Sequence, residues 1–282
     1  WRIDVGNMTG RLGEDDLHDE VMRGIRSAMD EVKPDAWLVA ENGDFVASDL
    51  NGFGWHGAMN YQGFMRPLWN WINQNSSIGG GFQGLPFEMP KIGGKSLVAS
   101  MVQFSSSIPW RSLVASMVLL DSHDTARMRT VVSGDRKAHL SAMTAMLTYP
   151  GVPSIFAGDE IGLEGSWGED SRRTINWEDR SGWDHDFLTE AKKLIELRRT
   201  QDGLIEGGLR WVAVEDNFIC YLRESNKQSV LVFISRKAVR TEIDLAGYGL
   251  KVVKTLYGPD ATGGSIKIDS DGATQGIWEV KS

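Results

Sequence analysis

Through about the first two hundred residues, short apolar runs alternate with stretches whose apolar residues recur every three or four positions. Trp1–Val5 reads as a strand that opens into a Gly/Asn/Thr/Gly loop at Gly6–Gly10. Over Glu14–Val32, the residues Leu17, Val21, Met22, Ile25, Met29 and Val32 line one face, which predicts an amphipathic helix. Glu14, Asp15 and Asp16 suit the positive end of its dipole, and Pro34 stops it. Trp37–Glu41 is a continuous apolar run ending in an acid, the pattern of a strand buried on both faces. Further strands are predicted around Gly57–Asn60, Ser116–Leu120 and Pro153–Ala157, and helices over Phe64–Asn73, Lys95–Ser106, Arg136–Tyr149 and Phe187–Arg199. Asn75–Gly94 is glycine-rich and reads as irregular.

The heptapeptide Ser-Leu-Val-Ala-Ser-Met-Val occurs twice, at Ser96–Val102 and Ser112–Val118. Two copies in different surroundings do not make a repeat architecture. The first is expected to be helical and the second to run into a strand. After Gly203 the pattern changes to short strand candidates separated by turn residues: Arg210–Val214, Phe218–Arg223, Ser229–Ser235, Thr241–Leu245, Val252–Tyr257, Ser265–Ile268 and Gly276–Val280. The alternating part predicts a parallel sheet with helical crossovers, and the remainder a small antiparallel β domain. The expected class is therefore α/β, with residues 1–203 as one unit and 204–282 as a second.

Composition narrows the partners. The 282 residues carry a formal net charge of −8, which argues against nucleic acid or an anionic membrane and suits a neutral substrate. No apolar run approaches the roughly 20 residues of a membrane span. Cys220 is the single cysteine, so neither an internal disulfide nor a cysteine-based metal site is available. Eleven tryptophans are compatible with sugar-stacking platforms, although each is more readily explained as core filling. The opening Trp1-Arg2-Ile3-Asp4-Val5 has no initiator Met and no signal peptide and reads as a strand entered midway. Targeting evidence is therefore missing, and a cytoplasmic location stands as the default.

Acids recur at the ends of the predicted parallel strands. Asp4 ends the first, with Arg2 on the same face because side chains alternate along a strand. Glu41 ends the second, Asp121-Ser122-His123-Asp124 follows Ser116–Leu120, and Gly158-Asp159-Glu160 follows Pro153–Ala157. In a parallel barrel the C-terminal strand ends form the active face. Glycoside hydrolysis needs two carboxyls flanking the scissile bond, one of them ionised beside a cation and the other able to carry a proton. A third acid and a histidine can bind hydroxyls and stabilise developing positive charge. Alone, Arg2 with Asp4 is equally a structural ion pair, Glu41 a loop cap and His123-Asp124 an ordinary turn pair. The ordered set at strand ends is what points to catalysis.

In that order the segments resemble the conserved regions of glycoside hydrolase family 13, the α-amylase family. Arg2-Ile3-Asp4-Val5-Gly6-Asn7 is similar to its nucleophile segment on the fourth barrel strand, Val39-Ala40-Glu41 to its acid/base segment on the fifth, and Ser122-His123-Asp124-Thr125 to its His-Asp segment on the seventh. Gly158-Asp159-Glu160-Ile161-Gly162 resembles the stretch after the eighth, and Arg172-Arg173-Thr174-Ile175-Asn176-Trp177 a loop of cyclomaltodextrinase, neopullulanase and α-glucosidase relatives. The resemblance implies a partial (β/α)₈ TIM barrel, strands four to eight, followed by an antiparallel β-sandwich. It makes Asp4 the nucleophile, Glu41 the acid/base and Asp124 the transition-state stabiliser. Arg2 would hold the nucleophile, and His123 and Asn7 would contact substrate. Met8, Asn42 and Thr174 depart from the relatives' usual Glu, Trp and Pro, which bears on the substrate rather than the chemistry.

The implied activity is retaining hydrolysis of α-1,4-linked glucans, malto-oligosaccharides or cyclomaltodextrins by double displacement. A transglycosylase, in which a sugar hydroxyl replaces water, uses the same acids. A non-catalytic binding relative would generally have lost them. A barrel metallohydrolase would want several imidazoles, and of five histidines only His123 sits at a predicted strand end. The resemblance implies no required cofactor and no metal in the site, and allows calcium as a structural ion with ligands upstream of Trp1. The first three barrel strands are expected there too, as the N-terminal part of the same barrel. Oligomeric state is left open.

Overall fold

The computed structural model describes residues 1–43, 45–74 and 89–282, so most of the glycine-rich stretch expected to be irregular lies outside the described residues. The chain divides into two compact units. One comprises 1–67, 99–119 and 151–154, and the other 68–98, 120–150 and 155–282.

The first unit is built on a row of parallel strands. Arg2–Ile3 pairs with Val39–Ala40, in register Arg2 to Val39 and Ile3 to Ala40. Val39–Ala40 pairs in turn with Gly57–Ala58. A parallel bridge from Met59 to Met117 leads on to Met117–Leu119, which pairs with Val152–Ser154. All five expected strands are present, in the order the sequence predicts. Their ladders are shorter than the apolar runs suggest, two or three residues each. Leu38, Val39 and Ala40 are buried, as expected for a central strand. Trp37 is half-buried, and its indole donates to the Ala115 carbonyl at 2.8 Å. With Met22, Val46, Leu50, Trp55, Ala58, Ile108 and Leu113, the residues Leu38 and Ala40 form this unit's apolar core.

The first helix spans His18–Val32, four residues shorter than predicted. Arg11–Leu12 and Asp15–Asp16 instead form a small antiparallel hairpin turning at Gly13, whose φ is +60°. Asp16 accepts hydrogen bonds from the His18 amide and from Arg11 Nε, both at 3.1 Å, so it marks the helix entrance rather than its first turn. Asp19 and Glu20 occupy that turn. The repeated heptapeptide behaves as expected. Its first copy lies within the helix Gly94–Ser106, and its second runs from the short helix Trp110–Val114 into the strand Met117–Leu119.

The second unit holds the helices Arg136–Thr148 and His185–Thr200, capped by Asp135 and Asp184, whose carboxylates accept the amides of Ala138 and Phe187. It also holds the antiparallel part. Its seven expected strands are all found, with bounds Gly208–Glu215, Phe218–Glu224, Ser229–Ser235, Val239–Asp244, Lys251–Tyr257, Ser265–Ser270 and Gln275–Lys281. Five make one sheet, and Val239–Asp244 pairs with Ser265–Ser270 in a second. Phe218, Cys220, Leu222, Leu231, Phe233, Ile243, Ile266, Ile268 and Trp278 fill the core between them. Each large apolar side chain buried there is worth roughly 1.5–3 kcal/mol. The five-stranded sheet is tied to helix Arg136–Thr148 where Thr148 and Tyr221 share a 2.6 Å hydrogen bond and the Arg223 guanidinium donates to the Thr148 carbonyl.

Candidate active site

In the first unit, the parallel register puts Ile3 opposite Ala40, so the next residues, Asp4 and Glu41, leave the same end of adjacent strands. The Glu41 amide donates to the Ile3 carbonyl at 2.8 Å, and the Gly6 amide to the Glu41 carbonyl at 2.7 Å. The two loops are thus stitched together immediately beyond the ladder. Arg2 lies between both acids. It forms an ion pair with Asp4, and its Nη2 stands 3.0 Å from Glu41 Oε2. The Asp4 side chain is 76 % exposed and that of Glu41 15 %. The sequence pointed to Arg2 as the partner of Asp4; its second contact, to Glu41, needed the strand register to be seen.

Val5 adopts a left-handed backbone, φ 44° and ψ 48°, which is unusual and costly for a β-branched residue. This conformation turns its amide onto Glu41 Oε2 at 2.8 Å. Gly6 is buried, and a Cβ there would lie 2.7 Å from the Ala40 Cβ and 3.2 Å from the Glu41 carbonyl oxygen. Only glycine permits the loop to come so close. Asn7 sits in the 3₁₀ turn Gly6–Met8, half-buried, and its carbonyl accepts from the Arg11 guanidinium. Sequence reasoning missed the roles of Val5 and Gly6. The glycine two residues after the acid was the available signal.

In the second unit, Asp124 receives Arg172 Nη2 on Oδ1 at 3.0 Å, and its Oδ2 is 3.3 Å from His123 Nε2. Arg172 Nε also donates to the His123 carbonyl at 2.9 Å. Asp124 is 28 % exposed on its side chain and His123 45 %. The turn is closed by the Asp124 amide on Ser122 Oγ and the Ser122 amide on Thr125 Oγ1. The sequence drew attention to Arg172 only as part of a loop motif, yet it is a direct partner of Asp124.

Beneath this turn lies a buried charge cluster. Arg127 donates from Nη1 to Asp159 Oδ1 at 2.8 Å, from Nη2 to the Ala157 carbonyl and from Nε to the Ser171 carbonyl, and it stacks 4.0 Å over Phe156. Asp121 Oδ2 accepts the Met128 amide at 2.6 Å. Burial raises the pKa of Asp121, and burial together with the Asp121 charge raises that of Asp159 well above the carboxylate range. The two buried acids act on one another, because the charge on Asp121 disfavours ionisation of Asp159. Among the described residues, no three His, Cys, Asp or Glu side chains converge as a metal cluster. Among them too, no helix is long and apolar enough to cross a membrane.

Residues 1–192 match the α-amylase catalytic-domain model, and the chain belongs to the α-amylase family. It is 28 % identical over 260 residues to a cyclomaltodextrinase of Bacillus sp, covering 91 % of this chain and 41 % of that protein. It is 26 % identical over 245 residues to neopullulanase 2 of Thermoactinomyces vulgaris, covering 86 % and 38 %. The chain thus spans about two fifths of the length of these relatives. Among solved structures, a debranching enzyme from Nostoc punctiforme superposes with a TM-score of 0.84 at 22 % identity, over 99 % of this chain and 57 % of that one. The cyclic α-maltosyl-(1→6)-maltose hydrolase of Arthrobacter globiformis gives 0.76 at 23 % identity, over 98 % and 56 %. The fold is that of a partial (β/α)₈ barrel with a C-terminal β-sandwich.

Proposed function

We propose that the polypeptide carrying this chain is a retaining α-glycoside hydrolase of α-1,4-linked glucans, working on malto-oligosaccharides or cyclomaltodextrins. The observation that carries the reading is the pair Asp4 and Glu41, leaving one end of adjacent parallel strands with Arg2 between them. Relatives named cyclomaltodextrinase, maltogenic amylase and neopullulanase support the substrate class. In this mechanism Asp4 attacks the anomeric carbon while Glu41 gives its proton to the departing glycosidic oxygen. A water then loses a proton to Glu41 and displaces Asp4, restoring both groups. In a substrate complex the two carboxyls stand roughly 5–5.5 Å apart, the retaining separation. Asp124, held by Arg172, stabilises the oxocarbenium-like charge, while His123 and Asn7 contact sugar hydroxyls. The same proposal keeps residues 1–203 as part of the catalytic barrel and 204–282 as an accessory β domain that supplies no catalytic group.

The test uses the full polypeptide on maltotriose, cyclomaltodextrin, pullulan and an activated aryl α-glucoside. Asp4→Asn abolishes turnover of all four. Glu41→Gln suppresses the natural substrates and leaves part of the first-step rate on the aryl glucoside, whose leaving group needs no protonation. Equal loss on both substrate types would remove Glu41 from the acid role.

A further inference from the structure

Behind the two acids, in the same unit, lies a buried polar chain that the proposed chemistry does not use. His18, Asp49 and Asn42 are each less than a tenth exposed. The His18 ring has a hydrogen bond on one side and a carboxylate neighbour on the other. Nδ1 is 2.8 Å from the Thr9 carbonyl, and Nε2 faces Asp49 Oδ2 at 3.3 Å. Asp49 Oδ2 also receives the Asn42 side-chain amide at 3.5 Å, and Oδ1 receives Ser48 Oγ at 2.9 Å. Trp55 closes the ring's edge, with centroids 6.4 Å apart.

The position of the two ends matters. Thr9 belongs to the loop that follows Asp4, and Asn42 is the residue directly after Glu41. His18 itself begins the first helix, so the chain is anchored on a rigid element. Buried polar groups are costly to leave unpaired, which makes such a chain an all-or-none geometry rather than a soft one. The amide contacts of Val5 and Gly6 reach Glu41 directly, and the chain through Asp49 reaches the side chain of its neighbour Asn42.

We propose that His18 and Asp49 form a positioning pair that holds Glu41 at its working angle, with the loop after Asp4 as reference. This inference rests on the acid/base assignment of Glu41. Displacing an acid by about 1 Å costs on the order of 100-fold in rate, and the loss falls on substrates that need a proton.

The experiment measures kcat and KM for wild type, Asp49→Ala, Asp49→Asn and His18→Asn in the full polypeptide, on maltotriose and on an activated aryl α-glucoside, well below each variant's melting temperature. Asp49→Ala is expected to lower kcat on maltotriose by about 10- to 100-fold with KM little changed, and to affect the aryl glucoside far less. Asp49→Asn keeps the shape and one acceptor and should restore most of that rate. His18→Asn keeps a donor toward Thr9 but cannot reach Asp49; it should reproduce the leaving-group dependence and supplies the test if Asp49→Ala does not fold. Equal losses on both substrates, or variants at wild-type rates, overturn the positioning role while leaving the hydrolase reading intact. A wild-type protein that cleaves neither substrate overturns the hydrolase reading and this inference with it.

Discussion

Gly6→Ala offers a direct test of how tightly the two candidate loops are fitted. The added methyl would sit 2.7 Å from the Ala40 Cβ, 3.2 Å from the Glu41 carbonyl oxygen and 3.4 Å from the Ala40 Cα. Non-bonded carbons prefer about 3.5–4.0 Å, so the loop must retreat by about 1 Å. Ala40 has no room to yield, being fully buried in a central strand. Overpacking of this kind costs about 1–3 kcal/mol, or several degrees of melting temperature at roughly 2–4 °C per kcal/mol. The retreat also carries Asp4 and the Val5 amide away from Glu41, so activity should fall further than stability, on the order of 100-fold. Ala40→Gly removes the nearest atom. The double variant should therefore recover much of both losses, giving a coupling that two independent sites would not show. Melting temperature and maltotriose kcat for the four corners of this cycle are the required measurements. Gly6→Ala with wild-type melting and rate, or a double variant no better than the sum of the singles, would refute the argument from close approach.

Two further predictions concern pH. His139 is fully buried, accepts Arg129 Nε on Nδ1 at 3.1 Å and stacks on Phe187 at 4.2 Å, and burial followed by the Arg129 charge pushes its pKa well below 6.5. Its contribution to stability is fully present above the ordinary value and is lost as pH falls from there through the depressed folded value, at about 1.4 kcal/mol per pH unit. Urea midpoints between pH 7.5 and about pH 5 should drop accordingly, and His139→Asn should flatten that slope; an unchanged slope would mean another group sets it. The Asp121–Asp159 pair has the opposite sign. Its raised folded values give stability that is fully present below the ordinary 3.8 and lost as pH rises through them. Asp159→Asn, which removes one of the two like charges, should make melting less sensitive than wild type to pH rising above 3.8, as scanning calorimetry over a pH series would reveal.

Much of this molecule is legible in its sequence because its strongest signals are local. The apolar run Trp37–Glu41 announces a buried strand, and the spacing of Val21, Met22, Ile25 and Met29 announces a helix. Turn residues separate the seven strands of the sandwich. Where the sequence misled, longer-range pairing had taken over. Glu14, Asp15 and Asp16 look like a helix's acidic first turn, yet Asp15 and Asp16 pair back onto Arg11–Leu12, and the helix waits for His18. The site divides in the same way. Acids at strand ends can be read from the one-dimensional pattern, but Arg2 reaching Glu41 depends on which strand is its neighbour. The left-handed turn at Val5 leaves no mark in composition, since valine is among the residues least suited to it.

Cys220 gives the molecule a built-in clock. It is the single thiol of the chain, fully buried in the middle of strand Phe218–Glu224, where burial pushes its pKa up. A thiol in that state reacts with an added reagent only when its strand leaves the sheet. In this chain its labelling rate under native conditions therefore times the opening of the sandwich alone, because these 282 residues hold no competing sulfhydryl. Set against a whole-molecule unfolding signal in the same solution, that single rate tells whether the C-terminal sheet lets go with the parallel strands or ahead of them.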